Sequence, residues 1–246
     1  MAKTIILIPS RMAASRLPNK PLLKIKNKTM IMHVYDKATE TNLGDVYVAS
    51  SDKAIIEEVK NNGGKSIITS DHHRTGTDRI AEAIDKLGET NIDYVINLQG
   101  DEPLIDINDI KNLNTQAVKH NSDMATLACI IDKKEKFQNS NIVKVTTLGE
   151  INNENITNAI SFDRLADFNS DNFIYHHIGI YIYKTSVLKK IVKFDQTESE
   201  KKNKLEQLRA LDNGIKIDVI LANSSPIGVD TKEDYIEIKK LMEYKK

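Results

Sequence analysis

The stretch from Thr4 to Leu23 reads TIILIPSRMAASRLPNKPLL, and the rest of the chain is organised around it. It opens with Ile5-Ile6-Leu7-Ile8, an apolar, β-branched run with the length and composition of a buried strand. Pro9 ends the run because it has no N–H to donate to a sheet ladder. A loop follows that carries the cations Arg11, Arg16 and Lys20. Open α/β sheets bind their ligands on loops leaving the C-terminal ends of strands. Guanidinium pairs with phosphate oxygens two at a time and ammonium acts as a point charge, so these residues suit a nucleotide triphosphate. A solvated basic loop would carry the same residue types.

Beyond this stretch, strands and helices alternate. Apolar positions Met30, Ile31, Val34, Tyr35 and Ala38 recur at helical spacing, which predicts a helix over 29–41. Residues 45–50 (DVYVAS) read as a second strand, with Asp52 as N-cap of a helix over 53–61 that Gly63-Gly64 closes. Strands are predicted at 65–69 and 92–98, and a helix over 107–120. This order implies a mostly parallel, doubly wound sheet. Past Ser122 the strand-like runs 124–131, 142–147 and 173–184 have few helices between them, which predicts an antiparallel section. A helix over 198–211, a strand over 215–222 and a terminal helix complete the chain. No linker-like tract interrupts it, so one domain is expected, with residues 1–121 as its nucleotide-binding α/β part and 122–246 as the remainder.

Composition narrows the classes. Lys+Arg 35 against Asp+Glu 35 gives a net charge of +0, which argues against nucleic-acid and membrane-surface partners. The single cysteine, Cys129, lies in an apolar run and reads as a buried thiol in a reducing compartment. The first apolar run is too short for a signal-peptide core and is followed by arginines, so a soluble, cytoplasmic protein is expected.

Two further stretches carry chemistry. Arg74-Thr75-Gly76-Thr77-Asp78-Arg79 precedes a helix beginning near Asp78, with Thr77 as its N-cap, and backbone amides there would face an anion. Asn97-Leu98-Gln99-Gly100-Asp101-Glu102-Pro103 places Asp101 just past an apolar strand, on the edge shared with the basic loop. A strand-end carboxylate beside a triphosphate site suits Mg²⁺, which takes one or two protein oxygens together with phosphate oxygens. Each stretch alone also reads as an ordinary capped helix start or an ordinary turn.

Taken together, these motifs resemble the 3-deoxy-manno-octulosonate cytidylyltransferases. The stretch IPSRMAASRLPNKPL is similar to that family's IPARxxSxRLPxKPL, with Ser10 in place of the usual Ala and Asn19 where Gly is common. RTGTDR is similar to its SGTDR, NLQGDEP to its NVQGDEP, HIGIYIY (His177 to Tyr183) to its HxGIYxY, EQLR (Glu206 to Arg209) to its EQLR, and GVDTKED to its GVDTxED. The resemblance implies a Rossmann-like nucleotide-diphospho-sugar transferase fold whose antiparallel section serves dimerisation. It also implies a Mg²⁺-dependent cytidylyltransferase that activates 3-deoxy-D-manno-octulosonate (Kdo) with CTP for lipopolysaccharide synthesis, acting as a homodimer.

On the same basis Arg11, Arg16 and Lys20 hold the triphosphate, with Thr75, Gly76 and Thr77 beside the nucleotide and Gln99 at the nucleotide–sugar junction. Asp101 and Asp230 hold Mg²⁺, while Arg164, His177, Tyr181, Glu206 and Gln207 contact the sugar acid. Thr231 and Asp234 have capping-box spacing for the terminal helix. One loop departs from the pattern: Phe162-Asp163-Arg164-Leu165-Ala166-Asp167 replaces F-S-R and a proline-containing loop, which leaves the preferred keto sugar acid open between Kdo, its 8-amino form and an acylneuraminate. A glycosyltransferase would carry Asp-x-Asp at the strand end, where Pro103 takes the third place, and a non-catalytic nucleotide-binding module is the other alternative. The phosphate-binding G-x-x-x-x-G-K-[ST] and dinucleotide G-x-G-x-x-G motifs are both missing.

Overall fold

The computed structural model describes residues 2–13, 16–88, 90–168 and 171–244. Ala14 and Ser15 of the opening motif lie outside the described residues. In chain order the strands are β1 (Thr4–Pro9), β2 (Lys24–Ile25), β3 (Lys28–Thr29), β4 (Val46–Ser50), β5 (Ser66–Ile68) and β6 (Tyr94–Asn97). They continue as β7 (Met124–Cys129), β8 (Lys144–Thr147), β9 (Thr157–Asp163), β10 (Phe173–Lys184) and β11 (Ile217–Leu221). The helices are α1 (Met30–Glu40), α2 (Lys53–Asn61), α3 (Gly76–Leu87), α4 (Ile107–Lys119), α5 (Thr185–Ile191), α6 (Glu198–Asn203), α7 (Gln207–Asp212) and α8 (Lys232–Tyr244). The chain divides into two compact units, residues 3–110 with 226–246, and residues 111–225. The terminal segment thus belongs with the N-terminal part, where the sequence reading had grouped it with residues 122–246.

In the first unit the strand order is β5-β4-β1-β6, and each pairing is parallel. Ile5, Ile6, Leu7 and Ile8 of β1 are at most 1% exposed, as the central strand of a sheet covered on both faces requires. The first helix begins where Met30 and Ile31 turn inward, and β4 with α2 follows the predicted bounds to within a residue. A satellite core forms where α8 returns: Leu17, Ile25, Met30, Val229 and Ile238 are all buried together. Tyr235 of α8 closes this contact by donating its hydroxyl to the Lys24 carbonyl (2.5 Å). The capping box at the start of this last helix forms as its spacing implies, with Thr231 N–H on Asp234 Oδ2 (2.8 Å) and Asp234 N–H on Thr231 Oγ1 (3.2 Å).

The second unit is organised as a ribbon that closes on itself. Its order is β10-β7-β11-β9-β8, and the twelve-residue β10 also pairs with β8. Residues Phe173 to His176 of β10 run against β8, and the remainder runs against β7. The pairings are antiparallel except β11 on β7, so the antiparallel section expected past Ser122 is present with one parallel member. Strand β9 has no counterpart in the sequence reading, because Asn158 and Ser161 interrupt its apolar alternation. The helix predicted over 198–211 is broken instead into α6 and α7. Lys204 takes a left-handed conformation (φ 55°) that ends α6, and the pieces are tied by a buried ion pair. Arg209 Nε and Nη2 reach Glu200 Oε2 and Oε1 at 2.9 and 2.7 Å, with both side chains under 5% exposed.

Removing one member of a buried, bidentate pair strands the other charge, a loss of about 3–5 kcal/mol. Glu200→Gln is therefore expected to lower the urea midpoint of unfolding by that equivalent. The double variant Glu200→Gln/Arg209→Met should recover part of the loss.

Candidate active site

Strand β1 delivers the chain to the sheet edge, and two hydrogen bonds and one backbone conformation then fix the loop that follows. Ser10 N–H donates to the Ala49 carbonyl (3.0 Å). Met12 N–H donates to Asp52 Oδ2 (2.8 Å), so Asp52 stands at the N-cap position of α2 but spends its carboxylate on the basic loop rather than on the helix. Asn19 adopts φ 58°, ψ 19°, the left-handed conformation that favours Gly and that Asn tolerates best among the other residues. Asn in place of the common Gly is therefore compatible with the left-handed turn at this position. A single turn over Lys20–Leu22 follows and presents the Lys20 ammonium.

Lys20 Nζ lies 2.7 Å from Asp101 Oδ2 and 3.2 Å from Asp230 Oδ1, and Arg16 Nη2 lies 3.0 Å from Asp230 Oδ2. Residues from positions 16, 20, 101 and 230 thus meet at one point of the first unit. The backbone brings the two carboxylates together: Val229 N–H donates to the Asp101 carbonyl (2.9 Å). At the turn before Asp101, a Cβ on Gly100 would lie 3.3–3.5 Å from Ile31, the Pro9 carbonyl and Ile8, so the turn packs closely on the end of β1. Burial of Lys20 works against its charge, but Asp101 and Asp230 outweigh it and raise the ammonium pKa.

Glu102, next to Asp101, was not singled out from the sequence as a site residue. Burial first, then Asp101 and Asp230, push its carboxyl up to about 8, and its Oε2 has no hydrogen-bond partner among the described residues. The cluster thus pairs Asp101 and Asp230 with Lys20 and Arg16 and keeps the Glu102 carboxyl protonated beside them. Among the described residues no group of three or more His, Cys, Asp or Glu could hold a metal. Two converging carboxylates with hard oxygen donors fit Mg²⁺, which completes its octahedron with phosphate and water oxygens.

The RTGTDR motif opens α3 two residues earlier than expected. Thr75, not Thr77, is the N-cap: its Oγ1 accepts Asp78 N–H (3.2 Å) and donates to Asp78 Oδ2 (2.8 Å), while Thr77 is buried within the first turn. Gly76 is the first helical residue. The segment is held from behind by Arg79, the last residue of the motif, and by Glu82, which carried no signal in the sequence. Buried Arg79 donates to Thr69 Oγ1 (2.5 Å) and the Ser70 carbonyl (3.1 Å), and Glu82 accepts Ser70 N–H (2.8 Å) and contacts the His73 ring. Despite burial, Lys86, His73 and the Ser70 amide hold the Glu82 carboxyl down at about 2. Burial, then the charge of exposed Arg11, lowers the Arg79 pKa. Gln99, beyond β6, donates its amide to Asn97 Oδ1 (3.3 Å).

The second unit holds the other predicted residues. His177 is 7% exposed, edge-on to Phe162 (centroids 4.9 Å) and tilted against Tyr181 (5.5 Å). Its Nε2 lies 3.0 Å from Thr126 Oγ1, a hydroxyl that also reaches the Ile178 and Ile180 carbonyls across the register shift around Gly179. Burial, then His176, drives the His177 pKa down to about 3, so the ring is neutral and acts as a directional hydrogen-bonding group. Arg164 spends its guanidinium on backbone carbonyls: Nε on Asn203 (3.0 Å), Nη1 on Ser140 (3.1 Å) and Nη2 on Lys204 (3.4 Å). Asp163, the extra carboxylate of this loop, accepts the Ser161 hydroxyl (2.7 Å). Glu206 is the N-cap residue of α7, and Gln207 next to it is 5% exposed with its Nε2 unpartnered among the described residues.

His176 shares the behaviour of His177: burial, then Lys136 and Lys144, lower it to about 4. Unfolded histidine titrates near 6.5, so below that pH the unfolded chain binds protons that the folded chain refuses. Stability is expected to be constant above pH 6.5 and to fall on acidification through pH 5, by up to about 1.4 kcal/mol per pH unit per histidine. Urea midpoints between pH 7.5 and 5 should show this slope, and His177→Gln should reduce it.

Comparison with known proteins follows the same residues. The cytidylyltransferase family model matches residues 5–217. The 3-deoxy-manno-octulosonate cytidylyltransferase of Thermodesulfovibrio yellowstonii is 44% identical over 243 residues, covering 94% of each chain. That of Methylorubrum populi is 38% identical and covers 98% of each. Among solved structures, CMP:2-keto-3-deoxy-manno-octonic acid synthetase complexed with CTP superposes with a TM-score of 0.87 at 34% identity, covering 98% of this chain and 99% of that one. The 4-diphosphocytidyl-2C-methyl-D-erythritol synthase of Anaerococcus prevotii, at 11% identity and a TM-score of 0.63 over 98% of this chain and 99% of its own, shares the fold alone. Motifs, architecture and full-length similarity agree, and the chain belongs to the 3-deoxy-manno-octulosonate cytidylyltransferase family.

Proposed function

We propose that this chain activates Kdo with CTP, giving CMP-Kdo and pyrophosphate, and that it uses Mg²⁺ held by Asp101 and Asp230. The observation that carries the reading is the meeting of Lys20 with both carboxylates, since three sequence-distant motifs converge on one charged point. Arg11 and Arg16 grip the β- and γ-phosphates, Lys20 the α-phosphate, and the segment from Thr75 to Thr77 with Gln99 lies against the nucleotide. When bound, the metal neutralises phosphate charge and orients the transferring group. The anomeric hydroxyl of the sugar acid attacks the α-phosphorus in line. A new C–O–P linkage forms, the bond from the α-phosphorus to the bridging oxygen breaks, and pyrophosphate leaves as the hydroxyl proton is released. Most of the acceleration comes from positioning and from cations aimed at the phosphoryl oxygens.

Substrate acid is selected by Arg164, His177, Tyr181, Glu206 and Gln207 of the second unit. The neutral state of His177 supports a hydrogen bond to a sugar hydroxyl rather than an ion pair. Leu148, Ile160 and Phe173 leave apolar side chains 44–71% exposed in this unit, which supports self-association into a dimer. No helix among the described residues is long and apolar enough to cross a membrane.

Pyrophosphate release with CTP and Mg²⁺, testing Kdo, its 8-amino form and N-acetylneuraminate in parallel, decides the reading. Turnover with Kdo and its abolition by chelation are expected, whereas CTP binding without turnover on any acid would overturn it. Asp101→Asn and Asp230→Asn should each lower kcat/KM by at least about a hundredfold. Lys20→Met should lower kcat more than it raises KM for CTP, because the α-phosphate contact strengthens as charge develops.

A further inference from the structure

Lys144 of β8 is 1% exposed, among the largest fully buried side chains of the protein. Its Nζ donates to the carbonyls of Asn139 (2.7 Å), Ile142 (2.8 Å) and Arg164 (2.7 Å), which uses all three of its N–H groups. Arg164 in turn holds the Ser140, Asn203 and Lys204 carbonyls. Two cations therefore gather six backbone carbonyls from the 139–142 loop, the end of β9 and the α6–α7 junction. No carboxylate contacts either cation among the described residues, and burial with the neighbouring guanidinium lowers the Lys144 pKa.

Carbonyls satisfy hydrogen bonds but leave the charge uncompensated, and an ammonium buried without a counter-ion is expensive. Elsewhere in the same unit the fold answers this need directly, since buried Arg209 has the bidentate Glu200 carboxylate. Had Lys144 only to tie a loop, a neutral donor would do so at lower cost. Uncompensated positive charge at this loop cluster calls for an anion from outside the chain. Three residues past Lys204, the buried Gln207 amide with its unpartnered Nε2 independently asks for an acceptor from a ligand.

We propose that Lys144 is a positioning residue of the sugar-acid site: it holds the Arg164 backbone and the 139–142 loop in place, and its charge adds to that of Arg164 in attracting the substrate carboxylate. The inference rests on the reading that the second unit receives a keto sugar acid. Lys144 itself touches only protein carbonyls, so its effect is confined to the acid substrate.

The test is steady-state pyrophosphate release by the full chain with Lys144→Met, which removes charge and donors, and Lys144→Gln, which removes charge but keeps an amide donor. The methionine variant should raise KM for Kdo about tenfold or more and leave KM for CTP within about twofold. The glutamine variant should recover part of the loss. The methyl ester of Kdo should be discriminated against by the parent protein and much less by either variant. Equal effects on both substrates, no effect on Kdo, or failure of both variants to give a cooperative melt would overturn the inference and leave Lys144 a folding residue. If the parent protein turns over no keto sugar acid at all, it is the underlying functional reading that falls.

Discussion

An ammonium shared between two carboxylates organises the first unit. Lys20 comes from the loop after β1, Asp101 from the turn after β6 and Asp230 from the segment before α8, and without Lys20 the two aspartates would face each other as like charges. The satellite core under α8 and the Val229–Asp101 backbone bond hold these segments together at the expense of that repulsion. Glu102 is protonated near neutrality, mainly because it is buried and further because Asp101 and Asp230 lie close to it. A site poised in this way accepts additional positive charge readily. On the proposed reading, a triphosphate accompanied by a divalent cation would exploit that property, the ammonium pairing with phosphates and the carboxylate oxygens with the metal.

The second unit solves a different problem with the same chemistry. Its guanidinium and ammonium groups are directed at main-chain oxygens, which converts loops of little intrinsic order into a fixed surface. His177 is held neutral by burial and aligned by a hydroxyl that also spans the irregularity around Gly179. Rigid polar groups of this kind distinguish hydroxyl patterns well, because a missing partner leaves a buried group unsatisfied.

Much of this was legible in the residues. The apolar run at Ile5, the helical spacing from Met30 and the strand-end position of Asp101 each follow from local rules, and the structure keeps their places. Strand order placed positions 20 and 101 on one sheet edge, but their convergence with position 230 could be read only through resemblance, because long-range pairing leaves no trace in local pattern. Thr77 was misassigned as a cap since both threonines flank Gly76 and the helix can start from either; the bond from Asp78 N–H to Thr75 Oγ1 decides between them. The run over 198–211 has unbroken helical composition, and its interruption depends on a tertiary demand, the folding back of Arg209 onto Glu200. Supporting residues such as Glu82 and Lys144 gave no sequence signal, as their partners, the Ser70 amide, His73 and Lys86 for one and three carbonyls for the other, are brought to them by the fold.

The return of residues 226–246 to the first unit also orders events during synthesis. Residues 111–225 form a contiguous unit that can pack as soon as it emerges, whereas the first unit lacks Val229, Ile238 and Asp230 until the chain has passed beyond them. The half that begins first in sequence is therefore completed last. Its Lys20 and Asp101 remain without their third partner until Asp230 has been added.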